Sequence, residues 1–269
     1  MLPAVASEKD GGPVIRVERL CCGYPGRTVL RDVSFAVQPG EFIGILGPNG
    51  SGKTTLMLAL SGIVASQEGR IQLLGTDLEH LPHRERARRN AAVTQEGEVR
   101  LPFSCNEVVW MGRYPHQKRW QMESPEDARV VQRAMVLTDT QSLAERLVTA
   151  ISGGEKQRVM VARALAQQTA VLLLDEATSA MDISRKLQVF KVLERLNQEE
   201  GLTILAVLHD INLAALFCRR LIFLRDGEKI ADGPTEEVLT PETLEAVYHT
   251  RVLVQEIAEV GKKQVVFLP

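Results

Sequence analysis

The string Gly47-Pro48-Asn49-Gly50-Ser51-Gly52-Lys53-Thr54-Thr55 fits G-x-x-x-x-G-K-[ST], the pattern of a loop that wraps phosphate groups. Gly47, Gly50 and Gly52 permit backbone angles and a close approach that a Cβ would block. Successive N–H groups can then face phosphate oxygens, at the positive end of the helix that follows. Lys53 supplies a mobile cation for the outer phosphates. Thr54 offers a hydroxyl to Mg²⁺, an ion that takes oxygen ligands. A chain of this length meets the pattern by chance about once in a hundred, given average residue usage. The flanks agree with it. Glu41 to Leu46 is a short apolar run that ends at a glycine turn, and Thr54 to Leu60 is apolar without Pro or Gly. Strand, loop and helix are expected in that order, with a nucleoside triphosphate as ligand.

Composition sets the frame around the loop. The chain has 269 residues, 45% hydrophobic and 25% charged, enough for one domain with a subdomain. A net charge of −2 and a pI of about 6.3 give no electrostatic reason to expect nucleic acid or an anionic membrane as partner. Cys21, Cys22, Cys105 and Cys218 show neither C-x-x-C nor metal-type spacing, so a reduced, cytosolic compartment is expected. No apolar run approaches the roughly 18 residues needed to cross a bilayer. Residues 1–13 read as a flexible tail without the apolar core of a signal peptide. Any membrane role is then expected to run through another chain.

Along the chain, Val14 to Leu20 and Val29 to Val37 alternate apolar and polar residues, as half-exposed strands do. Arg70 to Leu74 is another short strand. The run Arg84 to Arg89 reads as a solvated helix face. From Leu101 to about Gln167 helix signals dominate: Ser104 to Glu107 and Ser152 to Glu155 fit capping boxes, and Ser124-Pro125 fits a cap followed by a first-turn proline. The α/β rhythm returns with Val171 to Leu174, a helix from Asp182 to about Glu199 stopped by Gly201, and a strand from Thr203 to Leu208. Asp210 can cap a helix to Cys218. A hairpin turns at Asp226-Gly227, a helix opens at Thr240-Pro241, and strands close the chain at Val252 to Ile257 and Gln264 to Leu268. The fold class is therefore α/β, a phosphate-loop NTPase with a mostly parallel core sheet, an N-terminal antiparallel part and a helical insert. The core is expected over about 14–95 and 168–269, with the insert over about 96–167.

Leu172-Leu173-Leu174-Asp175-Glu176 ends a buried strand in two carboxylates, and ligands of open α/β sheets lie beyond the carboxyl ends of their strands. Asp175 there can hold Mg²⁺, directly or through water. Glu176 can reach an attacking water, as base or by orienting it. His80 and His83 lack a third ligand nearby and read as surface residues. Trp110 and Trp120 read as packing residues.

Taken in order, GPNGSGKT, Gln95, ISGGEKQR, VLLLDEAT, SAMD and His209 resemble the nucleotide-binding subunit of ABC transporters over nearly the whole chain after residue 14. Ile151 and Met181 stand where that family commonly has Leu. The resemblance implies two copies paired head to tail around two ATP molecules. Ser152, Gly153 and Gly154 would meet the γ-phosphate held by the partner copy. The start of the helix near Glu155 offers free N–H groups for that, while Ser152 can equally cap its own helix. It also implies adenine stacking on Tyr24, a Mg²⁺ or water contact for Gln95, and a γ-phosphate contact for His209. Asp182 would link the two sites, with helix capping as the alternative. VxxGRxPH at Val109 to His116 and HDINLAA at His209 to Ala215 resemble the ATPases of iron–siderophore, haem and vitamin B12 importers. What this implies is an ATPase on the cytoplasmic face of the membrane, beneath permease chains, with a substrate-binding protein delivering the cargo. An exporter subunit or a soluble ABC ATPase, as in iron–sulfur assembly, is the alternative.

Overall fold

The computed structural model describes residues 12–94, 101–117, 124–259 and 261–268. The chain separates into two compact units, one built on Pro82–Leu202 and one that joins Ser7–Leu81 to Thr203–Pro269. We call them the helical unit and the phosphate-loop unit.

The phosphate-loop unit starts with β1 (Ile15–Tyr24), β2 (Arg27–Val37), β3 (Phe42–Leu46), α1 (Lys53–Leu60), β4 (Ser66–Leu73) and β5 (Thr76–Asp77). The helical unit follows with α2 (His83–Arg89), β6 (Asn90–Val93), α3 (Cys105–Trp110), α4 (Pro125–Leu137), α5 (Gly153–Ala166), β7 (Val171–Asp175) and α6 (Ile183–Glu200). The chain then re-enters the phosphate-loop unit through β8 (Thr203–Val207), α7 (Ile211–Phe217), β9 (Arg220–Arg225), β10 (Glu228–Pro234), α8 (Thr235–Val238), α9 (Pro241–Tyr248), β11 (Val252–Ile257) and β12 (Lys262–Phe267).

In the phosphate-loop unit, β1 pairs antiparallel with β2 and β4, giving the order β2-β1-β4-β5. A second sheet is parallel at its centre. Strand β3 lies between β8 and β9, with Ile43 opposite Leu205 and Ile45 opposite Ile222, and β10 returns antiparallel on β9. In the helical unit β6 and β7 pair in parallel. Every residue of β3, β7 and β8 is buried, as expected of parallel strands covered on both faces. The hairpin β11–β12 rests on α7, where the Asn212 amide donates to Val265 O and accepts from Val265 N at 3.2 and 2.8 Å.

Local chemistry sets the helix ends. Ser104 with Glu107, and Ser152 with Glu155, both form full capping boxes. Ser124, Asp182, Asp210 and Thr240 cap α4, α6, α7 and α9. Gly201 ends α6 in the left-handed region at φ 70°.

Two expectations need correction. Strand β4 begins at Ser66, not Arg70. Its polar, exposed start has no apolar signal, and pairing of Cys21 with Glu68 and Cys22 with Ser66 makes it a strand. The run Arg84 to Arg89 is a helix but not merely a solvated face, because Arg84 Nε and Arg88 Nε both donate to Pro115 O at 2.9 Å.

That carbonyl belongs to the stretch Gly112 to His116, which organises the helical unit. A Cβ at Gly112 would stand 2.2 Å from Arg163 O, so only glycine lets this turn lie on α5. Arg113 is buried and donates to Asp127 Oδ1 at 2.7 Å, Ala166 O at 2.8 Å and Gln168 Oε1 at 2.9 Å. His116 Nε2 lies 2.8 Å from Gln167 O. Burial alone would raise the Asp127 pKa, but the Ser124 hydroxyl and the Arg113 guanidinium together bring it below its ordinary 3.8.

Removing one partner of a buried ion pair leaves a charge without compensation. Arg113→Ala should therefore destabilise the chain by about 3–5 kcal/mol in urea unfolding. The depressed Asp127 carboxyl contributes stability that is fully present above its unfolded value of 3.8 and is lost as pH falls through its lower folded value. Asp127→Asn should flatten that acid limb, and an unchanged limb would remove Asp127 from the acid response.

Candidate nucleotide-binding site

Strand β3 delivers the chain to the phosphate loop with no slack. Gly47 has φ 153°, and a Cβ there would lie 2.0 Å from Leu224 O and 2.8 Å from Ser51 Oγ. The loop is thus fixed from behind by the end of β9. Gly227 N donates to Ser51 O at 3.2 Å, and Arg31 N donates to Gly227 O at 2.9 Å. The β9–β10 turn therefore bonds both the loop and β2. The phenol of Tyr248, the last residue of α9, faces the Gly47 backbone. Burial pushes it up to about 12 against the opposing pull of that backbone, so it is neutral at physiological pH.

The front of the loop suits a polyanion. Lys53 is 5% exposed, and its ammonium donates to Gly47 O and Pro48 O, both at 2.9 Å. Ser51 is 2% exposed, and its hydroxyl has no hydrogen-bond partner among the described residues. A buried orphan hydroxyl costs about 1–3 kcal/mol, and a phosphate oxygen would satisfy it. Helix α1 starts at Gly52 without a side-chain cap and has no acidic residue in its first turn. Its positive dipole end therefore suits an anion. Thr54 sits on the first turn of α1, and Asn49, Gly50 and Thr55 complete the loop and that turn. In the same unit Tyr24 ends β1 at a tight turn with 45% exposure, leaving a ring face accessible. His209 stands exposed just beyond β8.

The helical unit carries the remaining groups. Asp175 ends β7 and is 1% exposed. Glu176 follows with φ 51°, outside the usual range for a side-chain-bearing residue, at a cost of about 1–3 kcal/mol. A turn closes from Ser179 N to Glu176 O at 3.0 Å. A pocket of about 170 Å³ in this unit is lined by Gly153, Lys156, Gln157, Asp175, Glu176 and Ser179, among others. Ser152 and Gly153 are exposed at the start of α5. Ser152 caps that helix, as one of its two open readings has it. Asp182 Oδ1 accepts from Arg185 N at 3.0 Å, so it caps α6. Gln95 lies outside the described residues, as does Trp120. His80 and His83 are exposed, and no cluster of metal-ligating side chains occurs among the described residues. Nothing in the local sequence pointed to Tyr248, because its role arises from long-range packing.

The family profile described as ABC transporter matches residues 30–179. The chain belongs to the ABC transporter family. It is 37% identical over 252 residues to the ferric enterobactin transport ATP-binding protein of Escherichia coli (strain K12), covering 94% of this chain and 93% of the relative. It is 38% identical over 244 residues to the cobalamin import ATP-binding protein of Halobacterium salinarum, covering 91% of this chain but 61% of that relative's length. Among solved structures, a chain of an inward-facing metal-chelate type ABC transporter matches with a TM-score of 0.82 at 27% identity, over 96% of this chain and 98% of that one. A dimeric cassette bound to ADP and Pi matches with a TM-score of 0.74 at 26% identity, over 82% and 98%. The α/β fold with a parallel core and an N-terminal antiparallel sheet is that of these cassettes.

Loss of the Tyr248 hydroxyl should loosen the Gly47 peptide. Tyr248→Phe should weaken ATP affinity about fivefold, the equivalent of about 1 kcal/mol, in a calorimetric titration. The unfolding midpoint should hardly move, and an unchanged affinity would show that the loop does not depend on α9.

Proposed function

We propose that this chain is the ATP-hydrolysing subunit of an ABC importer for a metal chelate, of the iron–siderophore, haem or cobalamin kind, and that it works as a head-to-tail pair. The observation that carries this reading is that one chain bears two different helix starts suited to phosphate. Helix α1 is uncapped behind the phosphate loop, and α5 opens at the exposed Ser152 and Gly153. One nucleotide per chain needs only the first. The second is explained if it serves the nucleotide of another copy, as the dimeric form of a related cassette supports.

In this reading the phosphate loop and Lys53 hold the β- and γ-phosphates, Tyr24 stacks on the adenine and His209 hydrogen-bonds the γ-phosphate. Thr54, Asp175 and Gln95 are the oxygen donors assigned to Mg²⁺, which when bound neutralises charge on the transferring phosphoryl group. Thr54 and Asp175 are both hard donors, which suits that ion. Glu176 orients water and accepts its proton as the water oxygen attacks the γ-phosphorus. The bond to the β-phosphate oxygen breaks, and ADP and phosphate leave. The partner's signature segment covers the γ-phosphate until that point, and Asp182 ties the two sites together. No described helix is long and apolar enough to cross a membrane. In this reading transport runs through permease chains, reached from the cytoplasmic face, and a binding protein hands over the chelate. The relatives' cargoes, ferric enterobactin and cobalamin, support a chelate as substrate.

Glu176→Gln should keep ATP binding, lower turnover by about a hundredfold or more and trap the pair with ATP, as read by light scattering. Lys53→Ala should weaken ATP affinity at least about tenfold, because the phosphates lose their buried cation. The importer reading is tested in liposomes with the permease and binding protein, offering haem, cobalamin and ferric siderophores in turn. ATP-driven uptake of one of them is expected. ATP hydrolysis without copurifying permease and without uptake of any chelate would overturn it.

A further inference from the structure

We propose that Gln157 is a positioning residue that clamps the signature helix α5 to the Ser179–Ala180 loop, so that the chain's own hydrolytic carboxylate and the surfaces offered to the partner's nucleotide move as one piece. The inference rests on the head-to-tail reading above.

Gln157 lies in the second turn of α5, on the helix that begins with Ser152-Gly153-Gly154. Both ends of its amide are used. Nε2 donates to Ser179 Oγ at 3.0 Å, and Oε1 accepts from Ala180 N at 3.0 Å. This fixes the amide's orientation, because a flip would set the amide NH2 against the Ala180 N–H, which can only donate. It also gives the Ala180 N–H a partner in a segment with no regular ladder.

The clamped segment is short and tightly wound. It starts at Glu176, held at φ 51°, and turns through Ser179 N to Glu176 O and Met181 N to Thr178 O at 3.0 and 3.1 Å. It ends at Asp182, the cap of α6. Two hydrogen-bonded turns thus join the carboxylate to the α6 cap. The start of α5 packs on the same segment. A Cβ at Gly154 would stand 3.3 Å from Ala180 O, and one at Gly153 3.5 Å from Ala180 Cβ.

Two jobs meet here. Ser152 to Gly154 and Asp182 are the parts assigned to the partner's site, and Glu176 acts in the chain's own. A signature helix that shifts toward a partner's γ-phosphate pulls, through Gln157, on the loop that carries Glu176. The clamp would thus make hydrolysis in one site depend on closure at the other. A simple surface staple would contribute to stability alone and leave turnover in the folded chain untouched.

The test uses the full chain and reads three quantities: affinity for a fluorescent ATP analogue at protein concentrations too low for pairing, kcat for ATP, and ATP-driven pairing in the Glu176→Gln background. Gln157→Leu, which keeps the bulk and loses both bonds, should leave single-chain affinity within about twofold. It should lower kcat about tenfold and raise the ATP needed for pairing by a similar factor, the scale of effect that a small misplacement of catalytic groups produces. Ser179→Ala, which loses one bond, should be intermediate in the native background and silent in the Gln157→Leu background. Gln157→Glu, whose carboxylate can accept from both Ala180 N–H and Ser179 O–H, should recover most of kcat.

Wild-type kcat and pairing in Gln157→Leu, or additive effects of the two substitutions, would overturn the clamp while leaving head-to-tail pairing intact. Should Gln157→Leu fail to fold, a wild-type kcat in Ser179→Ala would overturn it equally. If Glu176→Gln itself stays single with saturating ATP, the pairing reading fails and the clamp falls with it.

Discussion

The phosphate loop has no room behind it. Leu224 O occupies the space a Gly47 side chain would need, the Tyr248 phenol faces the Gly47 backbone, and Gly227 N bonds Ser51 O. These contacts come from β9, α9 and the β9–β10 turn, all far along the chain from the loop they support. A loop that binds by aiming N–H groups loses affinity with every degree of freedom left to it, because ordering must then be supplied by the ligand. Fixing it beforehand lets the phosphate charge act on Lys53 and the start of α1 without that cost. The end of β9 and the β9–β10 turn thus brace the loop from far along the chain.

The helical unit shows the same economy at another place. Gly112, Arg113 and His116 resembled a label shared by chelate-importer ATPases. Their contacts are internal: Arg113 bridges Asp127, Ala166 O and Gln168, and Gly112 lies against Arg163 O. Pro115 O collects two arginines from α2. The stretch therefore sets how α2, α4 and α5 pack. Tyr114 is 77% exposed beside it, which leaves that one side chain outside the knot.

Local signals were legible in the sequence, and long-range ones were not. Both capping boxes form as read, because a Ser and a Glu three residues apart meet wherever a helix starts. The buried strands β3, β7 and β8 were legible from unbroken apolar runs. The start of β4 was hidden, since Ser66 to Gly69 becomes a strand only by pairing with β1. The arginines of α2 read as solvated because the sequence does not say which carbonyl they will find. Gly47 to Thr55 was legible as a turn between a buried strand and a helix, and Asp175 as the end of another buried strand, each within its own unit. Tyr248 and Gln157 were not. One is an ordinary helix-end tyrosine and the other an ordinary polar residue inside the signature, and only tertiary contact gives either a task.

The two phosphate-suited helix starts differ in a way that orders events. Helix α1 has neither a side-chain cap nor an acidic residue in its first turn, so no carboxylate there offsets its dipole. Helix α5 begins in a closed capping box. Ser152 Oγ accepts from Glu155 N, and the Glu155 carboxylate accepts from Ser152 N at 2.8 Å. The hydrogen bonds from the Ser152 hydroxyl and backbone hold Glu155 below the usual carboxylate range, so it carries negative charge at the same end. That charge offsets much of the helix dipole. An anion arriving alone is attracted to α1 and only weakly to α5. On the head-to-tail reading, a signature helix of another copy therefore gains from meeting a nucleotide only once a phosphate loop already holds it. Pairing that follows nucleotide binding, and not the reverse, is the order this asymmetry favours.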